Sequence, residues 1–147
     1  MKETLLTVLE NTRLADGIYR LRLAGDTSAI TAPGQFVNLK LSGFFLRRPI
    51  SVCDWENGEV TLIYKVLGHG TEAMTGMAVG TALDVLTGLG NGFDLSRSGE
   101  HPLLVGGGVG IPPLYGLARR LTAQGKRVTA VLGFNRKSEI FLAEEFR

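Results

Sequence analysis

The sequence predicts a small antiparallel β-barrel or β-sandwich followed by the beginning of a parallel α/β domain. The first half contains about five short runs in which apolar and polar residues alternate, as in strands with one buried face. The second part has the order strand, helix, strand, helix, which indicates a parallel sheet with a right-handed crossover. The 20 glycines cluster at 68–92 and 106–116 and bound apolar runs, which indicates tight turns and not a flexible linker.

The predicted strands of the first half come in a regular series. "TLLTVLENTRL", "GIYRLRLAG" and "GQFVNLKLSG" each alternate apolar and polar positions. "RPISVCDWENGEVTLIYKV" predicts a hairpin, because Asn57-Gly58 is a strong two-residue turn signal between β-forming runs. Short strands at this spacing favour a small barrel or sandwich.

The pattern changes at Gly70. "GTEAM" predicts one helical turn with Thr71 as its N-cap, and "GTALDVLTGL" predicts a further strand. The most polar break is "SRSGEH" at 96–101, where we place a domain boundary. The predicted domains are therefore residues 1–97 and residues 98–147.

The second domain is predicted to be incomplete. "PLLVGG" and "RVTAVLGF" predict two buried strands, and "IPPLYGLARRLTAQG" predicts an amphipathic helix between them. "SEIFLAEEF" predicts a second helix with Ser138 as its cap, and the chain stops inside that helix. An open parallel sheet normally needs more than two strands to bury both faces, so we expect a C-terminally truncated chain.

Composition excludes several classes of protein. Among 147 residues, 44% are hydrophobic and 20% are charged, so a packed core is expected and disorder is not. The net charge of +2 is too small to argue for a nucleic acid or an anionic membrane as partner. Cys53 is the single cysteine, so an intrachain disulfide or a multi-cysteine metal site is excluded. Without a signal core or an 18-residue apolar run, the sequence predicts a cytoplasmic protein.

Two adjacent arginines in "LRRPISV" (46–52) are the first candidate for ligand binding. A guanidinium pairs with a phosphate through two parallel hydrogen bonds, and Pro49 fixes the backbone direction beside Arg48. Ser51 offers a hydroxyl or an amide to the polar edge of a ring. The alternative interpretation is a solvated arginine pair on a barrel rim. Residue chemistry alone does not distinguish this interpretation from phosphate binding.

Two glycine-rich stretches are further candidates for phosphate binding. In "LGHGTEAM", Gly70 and Thr71 precede a helical turn, which favours a phosphate cradle. In "LLVGGGVGIPPL", the bare turn from Gly106 to Gly110 leads from a strand into a helix, where amide groups approach a diphosphate. The spacing does not match G-x-G-x-x-G in the dinucleotide-binding register, so an ordinary strand-to-helix turn stays an alternative. We interpret His69 as a loop residue and Cys53 as a small core residue.

Taken in order, these motifs resemble the ferredoxin–NADP reductase superfamily and, within it, the electron-transfer subunits of dihydroorotate dehydrogenase B. The resemblance covers the whole chain through "PGQFVNL", "LRRPISV", "LGHGTEAM", "GLGNGFDL", "LLVGGGVGIPPLYGLA" and "VLGFNRKSEIFLAEEF". It implies a six-stranded FAD-binding β-barrel over residues 1–97. It also implies the N-terminal part of a Rossmann-like NAD domain over residues 98–147.

The resemblance also implies roles for individual residues. Arg48 would contact the FAD diphosphate, and Ser51 would lie near the flavin nitrogen N5. The complete set of implied cofactor-binding residues is Arg48, Pro49, Ile50, Ser51, Ile63, Tyr64, Lys65, Gly70 and Thr71 for FAD, and Gly106, Gly107, Gly108, Val109 and Gly110 for NAD. No residue is assigned as a catalytic acid or base, and none as a metal ligand.

The implied function is that of a flavoprotein oxidoreductase subunit. Electrons from an FMN-containing dihydroorotate dehydrogenase catalytic subunit would cross a [2Fe–2S] cluster to FAD and then reach NAD, in pyrimidine biosynthesis. This implies a hetero-oligomer. Such a cluster needs four thiolates and the chain has only Cys53, so the cluster is expected only in a longer chain. The alternatives are an FAD/NAD(P) reductase subunit of a sulfhydrogenase or transhydrogenase, and a regulatory barrel that binds a nucleotide without catalysis.

Overall fold

The computed structural model describes residues 1–147. The first part contains the strands β1 (Lys2–Ala15), β2 (Ile18–Ala24), β3 (Phe36–Leu39), β4 (Arg48–Glu56), β5 (Glu59–Lys65) and β6 (Ala82–Leu89), with helix α1 (His69–Met74) between β5 and β6. The second part contains β7 (Leu103–Gly107), α2 (Pro112–Ala123) and β8 (Thr129–Gly133). Single 3-10 turns lie at Leu95–Arg97, Gly108–Gly110 and Lys137–Glu139.

The first six strands form a closed antiparallel barrel in the order β1-β2-β5-β4-β3-β6. This confirms the six-stranded barrel and excludes the sandwich. Alternate residues of each strand point inward, so that Leu21 and Leu23 are fully buried while Arg20 and Arg22 stay partly exposed on the outer face. The inner side chains form one apolar core, which includes Leu6, Val8, Val37, Leu39, Val52, Val60, Leu62, Tyr64 and Val85.

The predicted hairpin joins β4 and β5. Asn57 and Gly58 both have positive φ angles, of 50° and 79°, which matches the twist of a two-residue hairpin turn. The ladder runs from Glu56 opposite Glu59 to Val52 opposite Leu62, with a β-bulge at Cys53. Beyond Val52 the two strands part: β4 pairs with β3, and β5 pairs with β2.

Helix α1 closes one end of the barrel. Met74 is fully buried in the barrel core, and Asn11 Nδ2 on β1 donates to the carbonyl oxygens of Met74 (2.7 Å) and Met77 (3.2 Å). The helix begins at His69 after Gly68 as N-cap, so the prediction of Thr71 as N-cap is wrong. Thr71 lies three residues after the N-cap, and its hydroxyl reaches back to accept from the amides of Leu67 (2.8 Å) and Gly68 (3.2 Å).

The second part, which we call the α/β segment (residues 103–147), contains a two-stranded parallel sheet. Its register runs from Leu103 opposite Thr129 to Gly107 opposite Gly133. Helix α2 covers one face of this sheet through a cluster of Leu104, Leu114, Leu117 and Leu121. Leu103, Val105 and Val131 are exposed. Neither helix of the protein has the length and apolarity that crossing a bilayer requires.

The helix predicted from Ser138 does not form. Residues Lys137–Glu139 make a 3-10 turn, and the following residues make turns and bends. Leu142 has a φ angle of 60°, which interrupts a right-handed helix. Phe141 and Leu142 are both buried against Ile18, Cys53 and Ile63 of the barrel and against Ile111. Packing of these neighbouring side chains on the barrel therefore overrides the local preference for helix.

The predicted domain boundary between residues 97 and 98 falls in the connection from β6 to β7, directly after the 3-10 turn Leu95–Arg97. The barrel sheet and the parallel sheet share no strand. They nevertheless share an apolar cluster, formed by Ile18, Cys53, Ile63, Ile111, Phe141 and Leu142. The division into two domains stays a prediction.

Candidate cofactor-binding site

The residues predicted to bind a flavin flank the place where β4 and β5 part. Arg48 to Ser51 lie on one side, before the ladder begins, and Ile63 to Lys65 lie on the other, after it ends. Paired strands are about 4.8 Å apart, so the end of pairing opens an edge in the barrel wall. Pro49 is exposed there, and Ile50, Ser51 and Lys65 are partly exposed.

Arg48 carries a cation that no carboxylate neutralises. Its Nη1 donates to the carbonyl oxygen of Leu46 at 2.6 Å, and its guanidinium carbon lies 5.0 Å from the centre of the Phe44 ring. The guanidinium also lies against Gly70, where a β-carbon would come within 2.1 Å of Arg48 Nε. The structure therefore brings together Arg48 and Gly70, which are 22 positions apart in the sequence.

The neighbouring Arg47 is engaged elsewhere. Its guanidinium pairs with Asp84 at 3.0 Å and Glu3 at 3.2 Å, and it also donates to the backbone carbonyls of Asn38 and Asp84. Arg47 thus ties the loop before β4 to β6. Of the two arginines, only Arg48 has its charge available to an anionic ligand, and Arg48 is the one for which the resemblance implies a diphosphate contact.

Thr71 and Tyr64 have structural hydrogen bonds of their own. The Thr71 hydroxyl accepts from two amides and donates to the Gly68 carbonyl at 3.2 Å, so it shapes the glycine loop. Tyr64 points into the barrel with 1% of its surface exposed, and its hydroxyl donates to Asn11 Oδ1 at 2.9 Å. Burial raises the pKa of Tyr64 above its ordinary value. Its side chain does not reach the opening.

A cleft of about 580 Å³ lies between the end of β5 and the carboxyl ends of β7 and β8. Ligands of open α/β sheets bind at the carboxyl ends of the strands. Four of the predicted residues line this cleft: Lys65, Gly107, Gly108 and Val109. It is also lined by residues that the sequence analysis did not assign, namely Ile18, Leu67, Gly133, Phe134, Asn135, Glu139 and Phe141.

One ion pair crosses this cleft. Lys65 Nζ on the barrel lies 3.7 Å from Glu139 Oε1 in the α/β segment, and both side chains are partly buried. Ile63, the first of the three residues predicted on β5, is buried in the cluster that also contains Ile111 and Phe141. Lys65 is therefore the member of that group whose side chain reaches the cleft.

The glycines of the strand-to-helix turn serve different purposes. A β-carbon on Gly106 would meet Leu114 at 2.6 Å and Ile111 at 3.3 Å, so this glycine permits α2 to pack on β7. Gly108 and Gly110 have no other atoms within 4 Å of a β-carbon position, and Gly107 has only the Gly133 carbonyl at 3.9 Å. The backbone from Gly107 to Gly110 is therefore accessible to a ligand.

A signal for part of the missed lining was present in the sequence. "GFN" at 133–135 lies at the carboxyl end of the predicted parallel strand "RVTAVLGF", which is the position where ligand-binding residues occur. No such signal exists for Glu139 or Phe141, because the segment that carries them was predicted to be helical. Their position in the cleft depends on how the tail packs against the barrel.

Cys53 fits its interpretation as a core residue. Its side chain is buried, and desolvation, with a smaller contribution from the neighbouring Asp54 carboxylate, raises the pKa of the thiol to about 12. A thiol with this pKa is protonated at neutral pH and is a poor nucleophile. No group of three or more His, Cys, Asp or Glu side chains is arranged to hold a metal ion.

Barrel, parallel sheet and intervening cleft together define a ferredoxin–NADP reductase-like fold. A solved NADH-dependent reduced ferredoxin–NADP oxidoreductase, studied for flavin-based electron bifurcation, is 31% identical to this chain with a TM-score of 0.87. The match covers 98% of this chain and 53% of that one. Phthalate dioxygenase reductase, described as a modular structure for electron transfer from pyridine nucleotides to [2Fe–2S], has the same fold with a TM-score of 0.85 at 22% identity. That match covers 97% of this chain and 47% of that one.

The sequence relatives are more specific. The chain is 44% identical over its full length to the electron transfer subunit of dihydroorotate dehydrogenase B (NAD(+)) from Bacillus pumilus. It is 43% identical to the subunit of the same name from Shouchella clausii, with 99% of this chain covered. The chain spans 60% of the length of both relatives. No protein-family model matches the sequence. The resemblance inferred from the motifs is confirmed.

Proposed function

We propose that this chain is the flavin- and nicotinamide-binding part of an electron-transfer subunit that serves dihydroorotate oxidation. The observation that carries the proposal is the unneutralised guanidinium of Arg48 against the bare α-carbon of Gly70, beside the opening between β4 and β5. A diphosphate matches this pair because a guanidinium binds phosphate oxygens through two hydrogen bonds. The names of the sequence relatives support the same assignment.

The residues of the opening fit FAD. Arg48 would hold the diphosphate, Gly70 leaves the space that the Arg48 guanidinium occupies, and Thr71 would keep the glycine loop in shape through its bonds to the Leu67 and Gly68 amides. Pro49, Ile50 and Ser51 would line the flavin ring. When bound, FAD supplies both the two-electron and the one-electron chemistry that such a subunit needs.

The cleft at the carboxyl ends of β7 and β8 fits a nicotinamide dinucleotide. The exposed backbone from Gly107 to Gly110 would approach its diphosphate, while Gly106 serves the packing of α2. Lys65 and Glu139 would border the nicotinamide ring. None of these groups is needed as an acid or a base, because their task is to hold two reactants in contact.

The reaction implied by the relatives' name needs a partner. Dihydroorotate would lose two electrons and two protons at an FMN-containing catalytic subunit; NAD+ would accept two electrons and one proton, and the second proton would go to solvent. A [2Fe–2S] cluster between them would require four thiolates, so residues outside this chain would hold it. The cytoplasmic location expected from the sequence stays a prediction.

The substitution Arg48→Ala tests FAD binding. The purified chain is expected to bind FAD and to show the visible absorbance of the flavin. Loss of a charge-assisted pair of hydrogen bonds should raise the Kd for FAD about ten- to hundredfold. The measurement is a titration followed by flavin fluorescence. The matched control is Arg13→Ala, which removes an exposed guanidinium paired with Asp16 on the β1–β2 hairpin and should leave the Kd unchanged.

Two results would contradict the proposal: a chain that binds no FAD, which favours the regulatory barrel, or an Arg48→Ala variant with unchanged affinity. The reaction itself is tested by adding the catalytic subunit that occurs with this chain. Reduction of NAD+ that depends on dihydroorotate supports the assignment. Reduction that depends instead on hydrogen or on a second pyridine nucleotide favours the sulfhydrogenase or transhydrogenase alternative.

A further inference from the structure

Strand β4 contacts both parts of the protein. Its first residues, from Arg48 to Ser51, flank the opening in the barrel wall, and Asp54 lies six residues after Arg48. At about 3.3 Å per residue, Asp54 is about 20 Å from Arg48 along the strand. A substitution at Asp54 therefore leaves the contacts of Arg48 in place.

Asp54 is held by two arginines of α2. Its carboxylate forms ion pairs with Arg119 Nη1 and, at 3.1 Å, with Arg120 Nη1, and 13% of its side chain is exposed. Asp54 raises the pKa of Arg119 above its ordinary value, mainly through this hydrogen bond. The Arg119 guanidinium also reaches Glu56 at 3.5 Å. We call this group of charged residues (Asp54, Glu56, Arg119, Arg120) the interlobe clamp.

Further contacts of Arg120 make the interlobe clamp sensitive to the orientation of α2. The Arg120 guanidinium lies 3.5 Å from the centre of the Trp55 ring, and it donates to the backbone carbonyls of Trp55 (3.3 Å) and Gly116 (3.0 Å). Gly116 lets α2 approach so closely that a β-carbon there would lie 2.7 Å from the Cys53 carbonyl oxygen. Two other polar contacts join the two parts, Lys65 to Glu139 at 3.7 Å and the Asp16 amide to the Ser138 carbonyl oxygen at 2.9 Å, and neither involves α2. The other side chains packed between the two parts are apolar, and their contacts are non-directional. Orientation of α2 on β4 therefore depends on the clamp.

The clamp also fixes the glycine turn. Helix α2 begins at Pro112, two residues after Gly110, so a rotation of α2 on β4 displaces the backbone from Gly107 to Gly110. We propose that Asp54 is a positioning residue. It sets the geometry between the nicotinamide site on this glycine turn and the flavin site on β4, the strand that carries Asp54. This inference rests on the proposed function. A misplacement of about 1 Å in a reacting pair lowers a rate constant about a hundredfold.

The test is Asp54→Asn, which keeps the shape of the side chain and removes its charge. The FAD-loaded chain, together with any further residues its gene encodes, is mixed with NADH, and reduction of the flavin is followed by rapid-mixing absorbance. In this direction NADH gives two electrons and one proton, and the second proton comes from solvent. We expect the rate constant at saturating NADH to fall about ten- to hundredfold. The Kd for FAD should stay within twofold of its original value.

A second variant and a control separate positioning from folding. Arg120→Ala should slow reduction similarly, and the double variant should be no slower than either single one if both act through their contact. Asp16→Asn, which removes the charge of an exposed Asp–Arg pair within the barrel, should leave the rate unchanged. Additive effects, or normal rates in FAD-loaded Asp54→Asn, would overturn the inference. An unsubstituted chain that binds no FAD or is not reduced by NADH would instead overturn the proposed function.

Discussion

Gly70 leaves the space into which the Arg48 guanidinium extends. Because a β-carbon at this position would come within 2.1 Å of Arg48 Nε, the charged end of a flexible side chain must move when one is added. The arginine's contacts at the opening thus depend on a residue in a different element. The pair is a more specific feature than either "LRRPISV" or "LGHGTEAM" alone.

The substitution Gly70→Ala should separate binding from stability. Alanine is favoured over glycine within a helix, so the free energy of unfolding should stay the same or rise slightly. The displaced guanidinium should raise the Kd for FAD about tenfold, which a fluorescence titration measures. Gly99→Ala, in a loop with nothing within 4 Å, is the matched control and should change neither quantity. Unchanged FAD affinity in Gly70→Ala would contradict the role given to this pair.

The sequence predicted the surroundings of some site residues and not of others. Arg48 could be chosen over Arg47 because Pro49 fixes its backbone, and the salt bridges of Arg47 agree with that choice. The sequence did not show that the Tyr64 side chain points into the barrel, because Ile63 and Tyr64 are both apolar enough to be buried. Only closure of the barrel decides which of the two faces the core. The ligand contacts of all the assigned residues stay predictions.

Helix α1 is anchored by one side chain from a distant strand. Asn11 on β1 donates to the carbonyl oxygens of Met74, the last residue of α1, and of Met77 after it, and it accepts from the Tyr64 hydroxyl. A helix of six residues is too short to be stable by itself, so its position depends on this anchor and on the burial of Met74.

Replacing this anchor with Asn11→Ala should lower the free energy of unfolding by about 1–3 kcal/mol, because partly buried polar groups lose their partners. Urea unfolding followed by circular dichroism measures the change. The neighbouring Thr12→Ala is the control, since the exposed Thr12 hydroxyl bonds only to Glu10. A loss of stability no larger than that of Thr12→Ala would show that Met74 alone holds the helix.

Elements with a strong local signal were predicted well. The alternating strands and the Asn57-Gly58 hairpin depend on neighbours in the sequence, and both are present. The tail after Ser138 was predicted wrongly, because burial of Phe141 and Leu142 against the barrel is a tertiary effect. The cleft residue Glu139 was missed for the same reason, since its partner Lys65 lies 74 positions earlier in the sequence.

The two parts of the molecule meet where α2 lies on β4. This contact combines the interlobe clamp with the close approach at Gly116 and with the apolar cluster around Cys53 and Ile111. Neither part is covered on this side without the other, so we expect them to unfold together.

The substitution Gly116→Ala tests this contact. A β-carbon 2.7 Å from a backbone carbonyl oxygen forces α2 away from β4, so the free energy of unfolding should fall by about 1–3 kcal/mol despite the better helix propensity of alanine. Urea unfolding should keep a single transition. Thr122→Ala, on an exposed position of the same helix, should be neutral or stabilising. An unchanged midpoint for Gly116→Ala would show that the close approach has no energetic importance.

Because of the bulge at Cys53, β4 contributes side chains both to the barrel core and to the contact with the α/β segment. Val52, directly before the bulge, packs in the barrel core, while Cys53 in the bulge and Asp54 after it turn outward to the α/β segment. Outside the bulge, side-chain direction alternates from one residue to the next, so deleting or inserting one residue there would exchange the inward and outward sets. Such a change of register would expose apolar side chains of the barrel core to water and would bury the Asp54 carboxylate. The length of β4 should therefore tolerate change far less than the length of any loop in the protein.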